Sequence, residues 1–422
     1  ETDLVFNQQG NADWVALNRV NAGTDPTRIL GNIKADGSVY IINRNGIIFG
    51  GASQVNTRNL IASTADIATD QFLNRGIYSQ LAGANYVPVF TNAGGKVTVE
   101  AGAQITTHTP KTVVDGGGYV MLLGSQVTNA GSITTVKGQT LLAAGDDFLV
   151  RPGVATEANQ QSTTRGNEVL ALIGTGSIAG SVTNIGQIEA QQGDITLTGR
   201  NVLQDGVLLA TTSVNRRGTI HLSTSAADAA GSVVLTGDSL TAILPELDSK
   251  ETALDAQRNA LIAESARMNA LREQQIGSQF DNLSLLGDRR DQSRVEIVSG
   301  GDVLFEGGSA TLAQGGQVSV TAADLSQTES GASIDVSGVR GVALDAGSNA
   351  IKVRIQPNDL RDSPANRETG TLNNQEVWID ARDLTYVPAG TGGYSSDRWY
   401  TPGGLLEVGG YLGNTAHGIG EW

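Results

Sequence analysis

Val127–Ala143 reads VTNAGSITTVKGQTLLA, and Val182–Thr198 reads VTNIGQIEAQQGDITLT. The two share the frame V-T-N-x-G-x-I, with a second Gly seven residues after the first (Gly131 and Gly138; Gly186 and Gly193). In each copy apolar and polar residues alternate between the glycines. Alternation with period 2 marks a strand with one face buried. Strands of four to six residues joined by one- or two-residue bends leave no room for helices. A pentad Gly-x-φ-x-φ, with φ apolar, carries the same signal along the chain. It appears as GSVYI from Gly37, GKVTV from Gly95, GYVML from Gly118, GDITL from Gly193, GTIHL from Gly218, GSVVL from Gly231, GDVLF from Gly301 and GQVSV from Gly316. GQTLL from Gly138 is a weaker copy. The two long copies lie 55 residues apart, which a period of about 20 turns into two or three coils.

The bends choose between architectures. Hairpin signals are few: Asn45-Gly46, Asp36-Gly37, Asp115-Gly116 and Asp205-Gly206. Asn-x-Gly and single Gly bends are commoner, and Asn and Gly accept the left-handed angles of solenoid corners. A propeller needs blades of about 40–45 residues with an aromatic signature, which is missing. The expected fold is all-β: a right-handed parallel β-helix with loops leaving the stack and one inserted α-helix, the hand following from the bias of strand crossovers. With half to three-quarters of the chain in coils of about 20 residues, the stack would hold about 10–16 coils and span about 50–75 Å.

Composition agrees. Of 422 residues 54 are Gly, too few for collagen, and 39% are hydrophobic, enough for a core. Only 5% are aromatic, so that core is built from Val, Ile, Leu and Ala. The net charge of −15 argues against a nucleic-acid partner. There is no Cys, hence no disulfide or thiolate metal site, which suits a chain crossing an oxidising compartment unfolded. No run of 18 apolar residues is present.

Four segments break the coil pattern. Residues 70–94 and 151–168 are polar and irregular and read as loops. Residues 249–276 contain no Gly or Pro. Asp248 with Glu251 forms a capping box, Gly277 a stop, and Leu254, Leu261 and Met268 a heptad stripe, which together predict a helix. Residues 341–422 hold seven of the twelve Trp and Tyr. The organisation expected is a first β-helical domain over 1–170, coils over 171–248, the helix over 249–276, coils over 277–340 and an aromatic-rich irregular β segment over 341–422 that continues into further repeats.

Trp14–Ile67 is the most specific text: WVALNRVNAGTDPTRILGNIKADGSVYIINRNGIIFGGASQVNTRNLIASTADI. It closely resembles the secretion domain of the filamentous haemagglutinin family, exoproteins exported by two-partner secretion in Gram-negative bacteria. The family's elements fall at ALNRV (16–20), DPTRI (25–29), GSVYIINRNGIIFG (37–50), QVN (54–56) and LIAST (60–64). Two departures stand out. The family's Asn-Pro-Asn-Gly-Ile is here Asn43-Arg44-Asn45-Gly46-Ile47; losing the preset φ of Pro costs about 0.4–1 kcal/mol. The strands that precede ALNRV in the family, and its cap, are absent before Glu1, so the chain reads as a trimmed piece of a longer product.

The resemblance implies that Asn43, Arg44, Asn45, Gly46 and Ile47 matter for recognition or early folding at an outer-membrane transporter; the alternative is that they only form a tight corner. It implies the N-terminal region of a large secreted exoprotein, an adhesin or filament at the bacterial cell surface. Residues 14–67 would be its secretion signal and folding nucleus, after Sec export through the periplasm. Candidate partners are the transporter, host or matrix glycans, neighbouring cells and copies of itself in filaments. Trp378, Trp399 and Tyr400 are the candidate glycan or partner contacts, because aromatic faces stack on sugar rings; packing of the segment itself is the alternative. The stalk of a contact-dependent toxin delivery protein is a related reading.

A β-helical carbohydrate-active enzyme is the rival class. Asp146-Asp147 and His417-Gly418 have suitable chemistry but lie about 270 residues apart, far beyond the 6.5–9.5 Å that paired carboxyls require. His108, His221 and His417 are isolated, with no metal motif. GTGSIA from Gly174 imitates a dinucleotide loop without a following helix. No catalytic residue, metal or cofactor is expected.

Overall fold

A strand whose alternate side chains are buried needs partners for its backbone on both edges, and short repeats supply them by stacking. The computed structural model describes residues 3–21, 23–82, 85–110, 117–153, 164, 166–213, 217–247 and 293–339, and the backbone of four later strands. Through Asp335 these residues form one parallel β-helix with three faces, of ten, nine and nine strands. Face 1 runs from Asp3–Phe6 to Ser333–Asp335, face 2 from Val15–Arg19 to Gln317–Ala322, and face 3 from Thr27–Ile29 to Ser326–Thr328. After the first strand the chain visits face 2, face 3 and face 1 in turn, nine times. Nine coils at about 4.8 Å each span about 43 Å, shorter than the expected stack. Described residues outside the coils lie in the excursions over 64–95 and 145–180 and in the later antiparallel strand pairs.

The two long copies are direct neighbours. Val127 pairs with Val182, Asn129 with Asn184 and Ile133 with Ile188. Their 55-residue separation is therefore one coil plus a hairpin, not two or three coils. The ladders also run on without interruption past residue 170, where Gln139–Ala144 pairs with Asp194–Thr198.

The repeated Asn is what the shared frame encodes. Along one inward column of face 3 the residues are Ile29, Phe49, Val99, Asn129, Asn184, Gln204, Leu235 and Phe305. In the middle of this apolar column Asn129 Nδ2 donates to Asn184 Oδ1 at 2.8 Å, and Asn184 Nδ2 to Gln204 Oε1 at 2.9 Å. Gln204 Nε2 then donates to the carbonyl of Gly206 at 2.8 Å. All three amides are fully buried, and the neighbour at the next level offsets much of that cost, although Asn129 Oδ1 at the start of the run has no partner among the described residues.

Face 2 differs from the others. Gln54–Thr57 on face 1 alternates between exposed and buried, whereas every residue of Ser38–Ile42 and Gln139–Ala144 on face 2 is buried. A second core explains this: Tyr40, Ile42, Ile61, Met121, Leu123 and Leu141 point outward and are covered. The cover comes from the two excursions over 64–95 and 145–180. Asp66–Ile67, Phe90–Thr91, Asp147–Pro152 and Asn167–Leu172 form one antiparallel sheet laid over face 2. Gln139 ties it down, donating to the carbonyl of Asn167 at 2.6 Å and accepting from its N–H at 2.8 Å. The segments expected as irregular loops, 70–94 and 151–168, thus contribute strands to a lid.

The first excursion also holds a helix, Thr69–Arg75, where no helix was expected. It is seven residues long, its N-cap is Ala68 with no side-chain cap, and it is fixed by packing: Phe72 meets the Tyr40 ring edge-on at 6.0 Å. The helix predicted over 249–276 lies outside the described residues. The chain leaves the stack after Leu240–Pro245 and rejoins it at Arg294–Ser299.

A second compact unit includes residues 341–422. Its described strands pair antiparallel, Ala350–Arg354 with Glu376–Asp380 and Thr385–Val387 with Arg398–Tyr400. Among the described residues no helix is long and apolar enough to cross a membrane.

The amide column makes a measurable prediction. Asn184→Ala strands the Asn129 donor and the Gln204 acceptor in an apolar interior, at about 2–3 kcal/mol. Urea unfolding followed by circular dichroism should show that loss; a shift below about 0.5 kcal/mol, ordinary for a surface change, would remove the column from the stability argument.

Candidate functional site

The Asn43–Ile47 turn joins Ser38–Ile42 on face 2 to Ile47–Phe49 on face 3. Asn43 is 1% exposed. Its Nδ2 donates to the carbonyl of Asp25 at 3.1 Å and to Thr27 Oγ1 at 2.9 Å, both in the preceding coil. Its Oδ1 accepts from the Asn45 N–H at 3.0 Å, closing the turn on itself. Its own N–H donates to Ser63 in the following coil at 3.0 Å. One side chain and its backbone thus bind three consecutive coils.

Gly46 sits at φ +132°, and a Cβ there would lie 3.1 Å from Pro26 Cβ and 3.3 Å from the Lys96 carbonyl. Its carbonyl accepts from Thr27 N–H at 2.9 Å. On the other side Gly95 packs on the turn so closely that a Cβ would approach the Asn45 carbonyl carbon to 2.5 Å. Ile47 is fully buried and stacks between Thr27 and Val97. These contacts explain why DPTRI and the Asn-rich element occur together: residues 25–27 are the floor on which the turn is built. Gly94 and Gly95 form the ceiling, a role sequence reading missed although the adjacent glycines signalled a close approach.

The two remaining side chains face outward. Arg44 is exposed and donates through Nε to the Asn92 carbonyl at 3.2 Å. Asn45 is exposed and donates through Nδ2 to the Gly23 carbonyl at 3.0 Å. The five residues are therefore divided: Asn43, Gly46 and Ile47 build the corner, and Arg44 and Asn45 present it.

The other candidates are described by the elements that carry them. Trp378 lies on Glu376–Asp380, while Trp399 and Tyr400 lie on Arg398–Tyr400, in a different strand pair. Asp146 and Asp147 are used as turn anchors: Asp146 accepts from Ser177 Oγ at 2.8 Å and from Gly174 N–H at 2.7 Å, and Asp147 from Asn92 N–H at 2.7 Å. His417 lies outside the described residues. Gly174–Ser177 is a turn closed by Ser177 N–H on the Gly174 carbonyl at 3.1 Å. Among the described residues no group of three His, Asp or Glu is arranged to hold a metal.

Comparison with known proteins bears on this geometry directly. The heme/hemopexin-binding protein of Haemophilus influenzae is 29% identical over 199 residues, which are 46% of this chain and 19% of that protein. The chain thus spans about a fifth of the length of that relative. The crystal structure of the HMW1 secretion domain from Haemophilus influenzae aligns with a TM-score of 0.50 at 18% identity, covering 80% of this chain and 73% of that one, which shows a shared fold. The model of the two-partner secretion (TPS) domain matches residues 1–222, a span that contains the turn, both lid excursions and the amide column, and the chain belongs to the TPS secretion domain family.

Proposed function

We propose that residues 14–67 are the secretion signal and folding nucleus of an exoprotein handed to a partner outer-membrane transporter after Sec passage through the periplasm, and that the exported protein acts as a surface adhesin or filament without catalytic activity. The observation that carries the reading is the family match over residues 1–222, within which the turn is divided into buried and exposed side chains. Across an outer membrane there is no ATP, and folding outside the cell is an available driving force. A stack whose coils each bury the previous one converts that force into stepwise, directional growth. The nucleus must then tie several coils at once, which Asn43 does. Arg44 and Asn45 offer the transporter a guanidinium and an amide with donors and an acceptor to spare. Contacts with glycans or other cells are assigned to Trp378, Trp399 and Tyr400.

Two variants separate the roles. The double variant Arg44→Ala, Asn45→Ala should cut secretion of the full-length exoprotein several-fold in cells carrying the transporter, while the unfolding free energy of the purified domain in urea changes by less than about 0.5 kcal/mol. Asn43→Ala leaves the Asp25 carbonyl and the Asn45 N–H unmet and should lower domain stability by about 1–3 kcal/mol. Normal secretion by the double variant would leave the turn as a structural corner only.

A further inference from the structure

Along one outward column of face 2 the residues are Tyr40, Ile61, Met121, Leu141, Thr196, His221, Glu296 and Ser319. The apolar members lie under the lid. Where the apolar members end, the column turns polar and titratable. His221 is 5% exposed although it points away from the main core, whose inward neighbours are Ile220 and Leu222.

We propose that His221 is a pH-sensitive clamp on three consecutive coils, closing the point where the stack resumes at Arg294. The geometry is a ring set between two acids, hydrogen-bonded to one and within ion-pair distance of the other. Nδ1 lies 3.2 Å from Glu296 Oε2 in the following coil, and Nε2 lies 3.5 Å from Asp194 Oδ2 in the preceding one. The Asp194 side chain is 1% exposed and that of Glu296 22%. Only imidazolium has a donor at both nitrogens; neutral imidazole would turn a lone pair toward one of the two carboxylates. Asp194 is held in place by Thr196 Oγ1 at 3.2 Å and Thr219 Oγ1 at 3.4 Å. Glu296 is reached only across 75 residues of chain, so the contact joins coils that the sequence keeps apart.

The other charges near the ring are Arg294, Glu168, Arg200 and Asp228. Arg294, on the strand of Glu296, is 3.9 Å from it. A cleft of about 720 Å³ beside His221 is also lined by Glu168, Arg200 and Asp228. Glu168 is paired with Arg151 at 2.9 Å and Arg200 with Asp228 at 2.8 Å. Burial on its own lowers the His221 pKa; the Asp194 charge and then the hydrogen bond and charge of Glu296 outweigh it, with Arg294 opposing, and the net shift is upward from 6.5. A raised histidine pKa contributes stability that is fully present below the unfolded value of about 6.5 and is lost as pH rises through the folded value. The clamp is therefore closed in mild acid and released toward alkaline pH.

This inference does not depend on the export reading, and its test uses the 422-residue chain alone. Imidazole resonances are followed by NMR from pH 5 to 9, with His221→Gln identifying one of the three histidines. Amide exchange, corrected for its intrinsic pH dependence, is measured on strands 219–223 and 294–299, with 38–42 as the reference. His221 should titrate above 6.5, and Glu296→Gln should bring it down. Protection of 294–299 relative to 38–42 should fall by up to about tenfold for each unit of that elevation as pH rises. In His221→Gln the relative protection should be flat with pH. A His221 pKa at or below 6.5 in the wild-type chain, or the same pH trend in wild type and His221→Gln, would overturn the clamp.

Discussion

Every strand between the first and last coils of the stack satisfies its backbone through the coil before and the coil after, in parallel and in register. That pairing constrains the rest. A slip of one residue would turn a whole inward set outward, so like must sit on like. Val127 lies under Val182 and that under Val202, and Ile133 lies under Ile188 and that under Leu208. On face 2 Thr140 enters between Val120 and Ile195 by pairing with Thr135 Oγ1 of its own coil at 3.1 Å, whereas the longer amides enter with a polar neighbour at the next level. The run of Asn129, Asn184 and Gln204 is such an entry, and it ends where Gln204 turns its donor onto backbone carbonyls.

The same constraint decides where the chain can leave. A coil can be interrupted at a corner without breaking a ladder. Both lid excursions depart from the corner between faces 2 and 3, after Asn59–Ser63 and after Gln139–Ala144. Those strands are two levels apart, about 9.6 Å, close to two strand spacings. Excursions emerging so near one another on one corner meet, and Phe90 pairs on one side with Ile67 and on the other with Phe148. The antiparallel lid follows from the parallel stack beneath it.

The pentads made the stack legible, because period 2 bounded by Gly admits few folds. The lid was written less plainly. Its trace is the loss of alternation on face 2: VYII from Val39, YVML from Tyr119 and LLAA from Leu141 are unbroken apolar runs, as expected of strands buried on both sides. Nothing in those runs says what covers them; the cover is supplied by polar segments whose apolar residues, Ile67, Phe90 and Phe148, are scattered. The Thr69–Arg75 helix has neither length nor a capping side chain to announce it. The turn was legible as a motif but not as a division of labour. Asn43 and Asn45 are the same residue type two positions apart, and only the floor formed by Asp25–Thr27 makes one internal and leaves the other at the surface.

In a stack of nearest-neighbour contacts the effect of a side chain extends about one coil in each direction. Most inward residues are interchangeable aliphatics and specify burial without specifying position. Residues that bond both ways along the axis do more. Asn43 joins the coil of Asp25 to the coil of Ser63, Asn184 joins Asn129 to Gln204, and His221 faces Asp194 and Glu296. Each sits at a different level: in the opening coils, in the middle where the chain rejoins face 3 after the second excursion, and where the chain returns from its third departure. With Asn59, which donates to Ser38 Oγ and accepts from the Tyr119 N–H, they are points at which a side chain ties one coil to both of its neighbours. The earliest of them, Asn43, lies in the segment proposed above as the folding nucleus, within the span that matches the TPS secretion domain.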